Sequence, residues 1–139
     1  MPTIPFKVGE SKSWAKTVTE ADVYLFAGIT GDLSRNHINE EYMRTTPFGT
    51  RIAHGVLSLG ISCSASTAFS EMSTVSCVSY GYDKVRFLKP VLIGDTLNVT
   101  YTLETVDQKD AKTFAKVEVK NQNGELCTVA THILKFLDS

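Results

Sequence analysis

The chain has 139 residues, of which 42% are hydrophobic and 21% charged, a composition that excludes a disordered segment and fits one folded domain spanning residues 1–139. Lys and Arg number 14 against 15 Asp and Glu, so the net charge of −1 gives no basic excess for nucleic acid or an anionic membrane. Apolar runs are too short to span a bilayer, Met1-Pro2-Thr3-Ile4-Pro5 lacks a secretory layout, and the unpaired spacing of Cys63, Cys77 and Cys127 suits buried thiols in a reducing cytoplasm better than disulfides or zinc.

Ser11 to Val18 alternates loosely around Trp14, the pattern of a first strand. Thr19 then caps a helix, with Asp22 completing a capping box. Val23, Phe26, Ala27 and Thr30 follow at helical spacing, so a helix is predicted from about Glu20 to Gly28 or Thr30, broken by Gly28 and Gly31. From Gly31 to His54 the chain is polar and turn-rich, with a short helix at Asn39 to Arg44. Ordered loops of this length in small domains tend to carry function.

Ile52 to Phe69 is small and apolar almost all round, with serines as its polar residues; it reads as a helix buried in the middle of the protein. The remainder reads as antiparallel strands: Val75 to Pro90, Thr96 to Val106, Thr113 to Lys120 and Leu126 to Leu137. Asn121-Gln122-Asn123-Gly124 is a hairpin signal between the last two. The order implies an α+β fold, a long helix wrapped by a curved antiparallel sheet whose open edges ask for a partner.

Three features carry chemistry. Asp32 and His37 place a carboxylate and an imidazole on one polar loop, the pairing that general acid–base work near neutral pH requires. Gly55 follows His54 at the predicted start of the buried helix, where free backbone N–H groups collect and a substrate oxygen can approach closely. The small apolar residues after it can wall a slot for an acyl chain. By spacing alone the same residues also read as a turn-capping aspartate, a solvated or core histidine and a packing glycine. His132, Asp95, Trp14 and Tyr82 read as structural. Lys84, Arg86 and Lys89 read as a solvated strand face, or as contacts for the phosphates of a ligand.

The run Thr19-Glu20-Ala21-Asp22-Val23, Phe26-Ala27, Thr30-Gly31-Asp32, His37, Phe48-Gly49 and Ile52-Ala53-His54-Gly55 resembles the MaoC-like (R)-specific enoyl-CoA hydratases, which are hotdog-fold enzymes. Val85-Arg86-Phe87-Leu88-Lys89-Pro90-Val91 and Gly94-Asp95-Thr96-Leu97 extend the resemblance from about Phe6 to Phe136. It implies reversible addition of water to a trans-2-enoyl-CoA, giving an (R)-3-hydroxyacyl-CoA. Asp32 and His37 would hold the water, and the Gly55 N–H would bind the thioester oxygen as enolate charge grows. No metal and no organic cofactor would be needed, the substrate being carried as a CoA thioester. A homodimer, or a larger assembly of the same chain, would close the substrate tunnel.

Two departures stand out. The family usually reads Gly-Asp-x-Asn-Pro-x-His, whereas here Ser34 and Arg35 replace Asn-Pro. Losing the proline removes a stiffener, and Arg35 brings a charge that faces either solvent or substrate. A serine that supports the catalytic aspartate in well-known members falls at Cys63, flanked by Ser62 and Ser64. Ser34, Arg35, His54, Ser62 and Cys63 are therefore candidate substrate-binding positions. Two rival readings remain: an acyl-CoA thioesterase, against which stands the lack of Asp or Glu between Ile52 and Phe69, and a non-catalytic acyl-CoA-binding subunit of a heteromeric dehydratase.

Overall fold

The computed structural model describes residues 2–138. Strand β1 (Ser11–Thr17) leads into helix α1 (Glu20–Thr30) through a capping box: the Thr19 hydroxyl accepts from the Asp22 N–H, and the Asp22 carboxylate accepts from the Thr19 N–H. The helix runs through Gly28 and ends at Gly31, whose φ of 78° is the left-handed cap a glycine takes without strain. The expected break at Gly28 does not occur, because a single glycine costs a helix only about 1 kcal/mol. Two one-turn helices follow, α2 (Arg35–Ile38) and α3 (Glu40–Met43), capped by the side chains of Ser34 and Asn39.

The expected long helix is present as two pieces, α4 (Gly55–Ile61) and α5 (Cys63–Ser70), interrupted at Ser62. Strands β2 (Cys77–Phe87), β3 (Thr96–Asp107), β4 (Lys112–Lys120) and β5 (Leu126–Phe136) complete an antiparallel sheet in the order β1-β3-β4-β5-β2. β2 stops short of Pro90, which has no N–H to give a ladder. The β4–β5 turn is held by the Asn121 side-chain oxygen, which accepts from the N–H groups of Asn123 and Glu125, and by Gly124 at φ 75°.

One sheet face forms the core. Leu97, Val99, Tyr101 and Leu103 of β3 alternate inward with Ala115, Val117 and Val119 of β4, and meet Ala65 and Phe69 of α5. A single sheet shields one side of α4 and α5 only. Val56, Gly60, Cys63 and Thr67, at helical spacing along the opposite flank, stay exposed. The expectation of a helix buried all round is therefore corrected, as is that of buried thiols: Cys127 is buried, Cys77 half-buried and Cys63 exposed. The outer strands β1 and β2 expose Trp14, Val78 and Tyr80. No helix among the described residues is long and apolar enough to cross a membrane.

His132 sits under this sheet at 1% exposure, between the Tyr101 hydroxyl on Nδ1 and the Ser79 hydroxyl on Nε2, each at 2.7 Å. Burial pushes its pKa down from 6.5 to about 4. Between those two values the unfolded chain holds a proton that the folded chain refuses. This group's contribution to stability is thus full above about pH 6.5 and lost as the pH falls to about 4, roughly 3 kcal/mol in all. Urea unfolding at pH 7 and pH 4 should show that loss in the native protein and a loss smaller by about that amount in His132→Gln. An equal loss in both would place the acid sensitivity elsewhere.

Candidate active site

The site lies where the loop after α1, the helix α2 and the start of α4 converge. Gly31 turns the chain out of α1. The Thr30 hydroxyl then receives the Asp32 N–H at 3.2 Å, and Asp32 Oδ1 accepts weakly from the Ser34 N–H at 3.4 Å. Ser34 goes on to cap α2, its hydroxyl accepting from the Asn36 N–H. His37 is carried on this short helix, so the loop that holds the carboxylate also delivers the imidazole.

The hydrogen bonds of His37 fix its protonation pattern. Nδ1 lies 2.7 Å from the Ile52 carbonyl oxygen. A carbonyl only accepts, so Nδ1 carries the hydrogen and a neutral ring leaves its Nε2 lone pair free. That nitrogen faces Asp32 Oδ2 at 3.9 Å, too far for a direct hydrogen bond. His37 is mostly sheltered, at 12% side-chain exposure, whereas Asp32 is open at 53%. Two acceptors facing across such a gap suit a water molecule that donates one hydrogen to each and keeps an oxygen lone pair for attack.

His54 acts on the same loop from below. It is 3% exposed, and its Nε2 donates to the Asp32 carbonyl oxygen at 3.0 Å, so the backbone of the carboxylate residue is pinned directly. Its ring stacks on His37 at 3.7 Å between centroids and 26° between planes, with Phe26 on another side at 4.8 Å. Its Nδ1 is buried without a hydrogen-bond partner among the described residues. Asp32, His37 and His54 bring ligand atoms within 4.8 Å of one another, the spacing of a metal site. Nearly parallel stacked rings, however, aim their in-plane lone pairs side by side instead of at one point, which does not suit a shared ion.

Gly55 opens α4 with no side-chain cap, so its N–H is one of the donors that a helix start leaves over. A Cβ here would come within 2.8 Å of the Phe87 ring, so only glycine admits this packing. The Ser58 hydroxyl donates to the Gly55 carbonyl and meets the Thr128 hydroxyl at 2.7 Å, which ties the helix start to β5. Two cavities flank the Phe87 ring and share His37, Gly55 and Phe87. One, about 300 Å³, continues along Ser58, Leu88, Lys89 and Thr128; the other, about 250 Å³, continues along Phe26, Asp32, His54 and Val56.

The remaining candidates sit elsewhere. Ser34 is spent on capping, and Arg35 points away, its guanidinium 4.2 Å above the Tyr42 ring. Ser62 bonds back to the Leu59 carbonyl, and Cys63 meets the Tyr82 hydroxyl at 3.4 Å. Both stand roughly 10 Å along the helix axis from Gly55, and neither lines the two cavities. Lys89 lines the larger cavity and pairs with Glu125; Arg86 turns back to the Val85 carbonyl. Sequence reading did not single out Phe26, Phe87 or the Ile52 carbonyl for the site. Each reaches it through a contact distant along the chain.

Residues 7–125 match the family described as MaoC like domain. The chain is 40% identical over 130 residues to an (R)-specific enoyl-CoA hydratase of Rhodospirillum rubrum, covering 92% of this chain and 81% of that protein. It is 34% identical over 140 residues to 3-hydroxyacyl-thioester dehydratase Z of Mycobacterium tuberculosis, covering 94% and 89%. Its fold superposes on that of an (R)-hydratase from A. caviae involved in PHA biosynthesis with a TM-score of 0.86 at 20% identity, covering 96% and 98% of the two chains.

Proposed function

The chain belongs to the MaoC-like domain family, and on that premise we propose that it is a hydro-lyase adding water to trans-2-enoyl-CoA thioesters to give (R)-3-hydroxyacyl-CoA, and running the reverse dehydration. The observation that carries the reading is the His37 Nε2 lone pair facing the Asp32 carboxylate across 3.9 Å, beside the backbone donor of Gly55.

In this mechanism water held between Asp32 and His37 attacks C3 of the enoyl thioester. The pair takes one proton from the water, electron density moves through C2 to the thioester oxygen, and the Gly55 N–H donates to that oxygen as it becomes enolate-like. Returning a proton to C2 completes the addition of H and OH. Asp32 and His37 both face the same water, so either can be written as the base. His54 holds the Asp32 backbone in place and touches no reacting atom. The steps are proton transfers and one polarised carbonyl, so they draw on no metal and no organic cofactor.

We assign the protein as a homodimer or larger assembly, because the exposed edge strand β2 and the uncovered flank of α4 and α5 both present apolar surface. Its free, exposed Cys63 thiol fits the reducing cytoplasm.

Incubation with crotonyl-CoA tests the assignment. Loss of the enoyl-thioester absorbance with formation of (R)-3-hydroxybutyryl-CoA is the expected result. Release of free CoA would replace the reading with a thioesterase, although α4 and α5 carry no carboxylate and Glu71 only follows them. Inertness toward short, long and branched enoyl-CoAs alike would leave a non-catalytic acyl-CoA-binding subunit.

A further inference from the structure

The segment that supplies the Ile52 carbonyl to His37 is held by a charged cluster that the mechanism does not use. Arg51 is the centre. Its side chain is 14% exposed, unusually sheltered for an arginine, and its Nε and one terminal nitrogen are both engaged. Nε donates to Glu40 Oε2 at 3.1 Å, while one terminal nitrogen donates to Glu20 Oε1 at 2.9 Å and to the Tyr24 hydroxyl at 2.5 Å. Glu40 also accepts from the Arg51 backbone N–H and from the Thr50 hydroxyl, both at 3.2 Å. Residues 50 and 51 are thus fastened to α3 through Glu40 and to α1 through Glu20 and Tyr24.

Both ends of this cluster lead to His37. Along the chain, Arg51 immediately precedes Ile52, whose carbonyl accepts the His37 Nδ1–H and whose own N–H donates to the Asn36 carbonyl at 3.0 Å. Through space, the Tyr24 hydroxyl accepts from Arg51 and donates to the Ile38 carbonyl at 3.3 Å, one residue beyond His37. Helix α2 is a single turn and has a serine–arginine pair where the family's usual proline would stiffen it. A four-residue helix does not hold a ring in place by itself. The position of His37 relative to Asp32 therefore depends on what grips its neighbours.

We propose that Arg51 is a positioning residue for the proton-handling pair. Through Glu20, Glu40 and Tyr24 it locks Ile52 and Ile38 on either side of His37, keeping the hydrogen on Nδ1 and the bare Nε2 aimed at Asp32. The inference rests on the reading of His37 as the residue that handles the proton. It adds a second requirement, that the tautomer be set from outside the cavity by a three-element clamp.

The test reads tautomer and turnover together. The chain has 3 histidines, so their ring nitrogens are few enough to resolve by ¹⁵N NMR and to assign with single His→Gln variants. In the native protein, at a pH where the rings are neutral, His37 should show one tautomer with hydrogen on Nδ1, and His54 the opposite one. In Arg51→Met the His37 nitrogens should move toward averaged values while those of His54 stay put. The kcat on crotonyl-CoA should drop about 10- to 100-fold with KM changed less than about threefold. Arg51→Lys, which keeps the charge but not the fork, should fall between the two. Tyr24→Phe leaves the pairs to Glu20 and Glu40 intact and should show a smaller shift of the same kind, which keeps the proposal open to failure even if Arg51→Met does not fold. An unchanged His37 pattern in the folded variants, with native kcat, overturns the clamp. The nitrogen spectra need no substrate, so a native protein inert toward enoyl-CoAs would sink the functional reading without being mistaken for failure of the clamp.

Discussion

Asp32→Asn is expected to lower kcat by at least about 100-fold while Tm moves by no more than about 2 °C. The asymmetry follows from where Asp32 sits. Its side chain is half-exposed, and its one hydrogen bond to the fold, from the Ser34 N–H to Oδ1, survives because the asparagine oxygen accepts equally well. What changes is the side facing His37. The carboxylate offers an acceptor opposite the Nε2 lone pair; the amide offers an N–H that can donate to Nε2 directly. The gap then closes on itself and the water loses both acceptors. Initial rates of hydration with thermal unfolding of the same preparation check this. Turnover within a fewfold of native would remove Asp32 from the chemistry and leave it as the turn residue its sequence context also permits.

Parts of this arrangement were legible in the sequence because their causes are local. The Thr19–Asp22 box and the Asn121–Gly124 turn are closed by side chains three or four residues from the backbone groups they satisfy, so a short window contains the whole argument. The approach of Asp32 to His37 is local too, since only residues 33–36 separate them and the one-turn helix α2 carries His37 itself. What set the chemistry is not local. The Ile52 carbonyl that selects the His37 tautomer comes from 15 residues away, and the Phe87 ring that makes Gly55 obligatory comes from the end of β2. No periodicity announces either contact.

Arg51 shows the same limit from another side. A lone arginine before an apolar run reads as a solvated charge, and only the fold reveals the two glutamates and the tyrosine around it. The buried-helix expectation failed for a different reason. An apolar stretch states that its surface must be covered, and one sheet covers only the flank that bears Ala65 and Phe69. The departure at Ser34 and Arg35 also resolves into local physics. Serine takes over the cap of α2, and arginine at its first position packs on Tyr42 where a proline would have fixed φ. The exchange trades one restraint on the loop for another and leaves Asp32 and His37 in register.

Substitution of His37 should cost the most activity, and two variants separate its chemical role from its structural one. His37→Ala removes the Nε2 acceptor, the bond to the Ile52 carbonyl and the stack on His54 together. The stability loss should be about 1–3 kcal/mol, the range for leaving a sheltered carbonyl unpaired. Loss of the acid–base function should lower kcat by about 1000-fold, which is about 4 kcal/mol at the transition state and therefore the larger effect. His37→Asn is the sharper instrument. Its amide nitrogen lies close to where Nδ1 was and can keep donating to Ile52, but nothing replaces Nε2 opposite Asp32. It should recover much of the lost stability in urea unfolding and none of the lost kcat. If activity instead returned along with stability, His37 would be a strut for the Ile52 segment. The proton chemistry would then have to pass through Asp32 alone, with the stacked His54 ring still pinning the Asp32 backbone through its bond to the carbonyl.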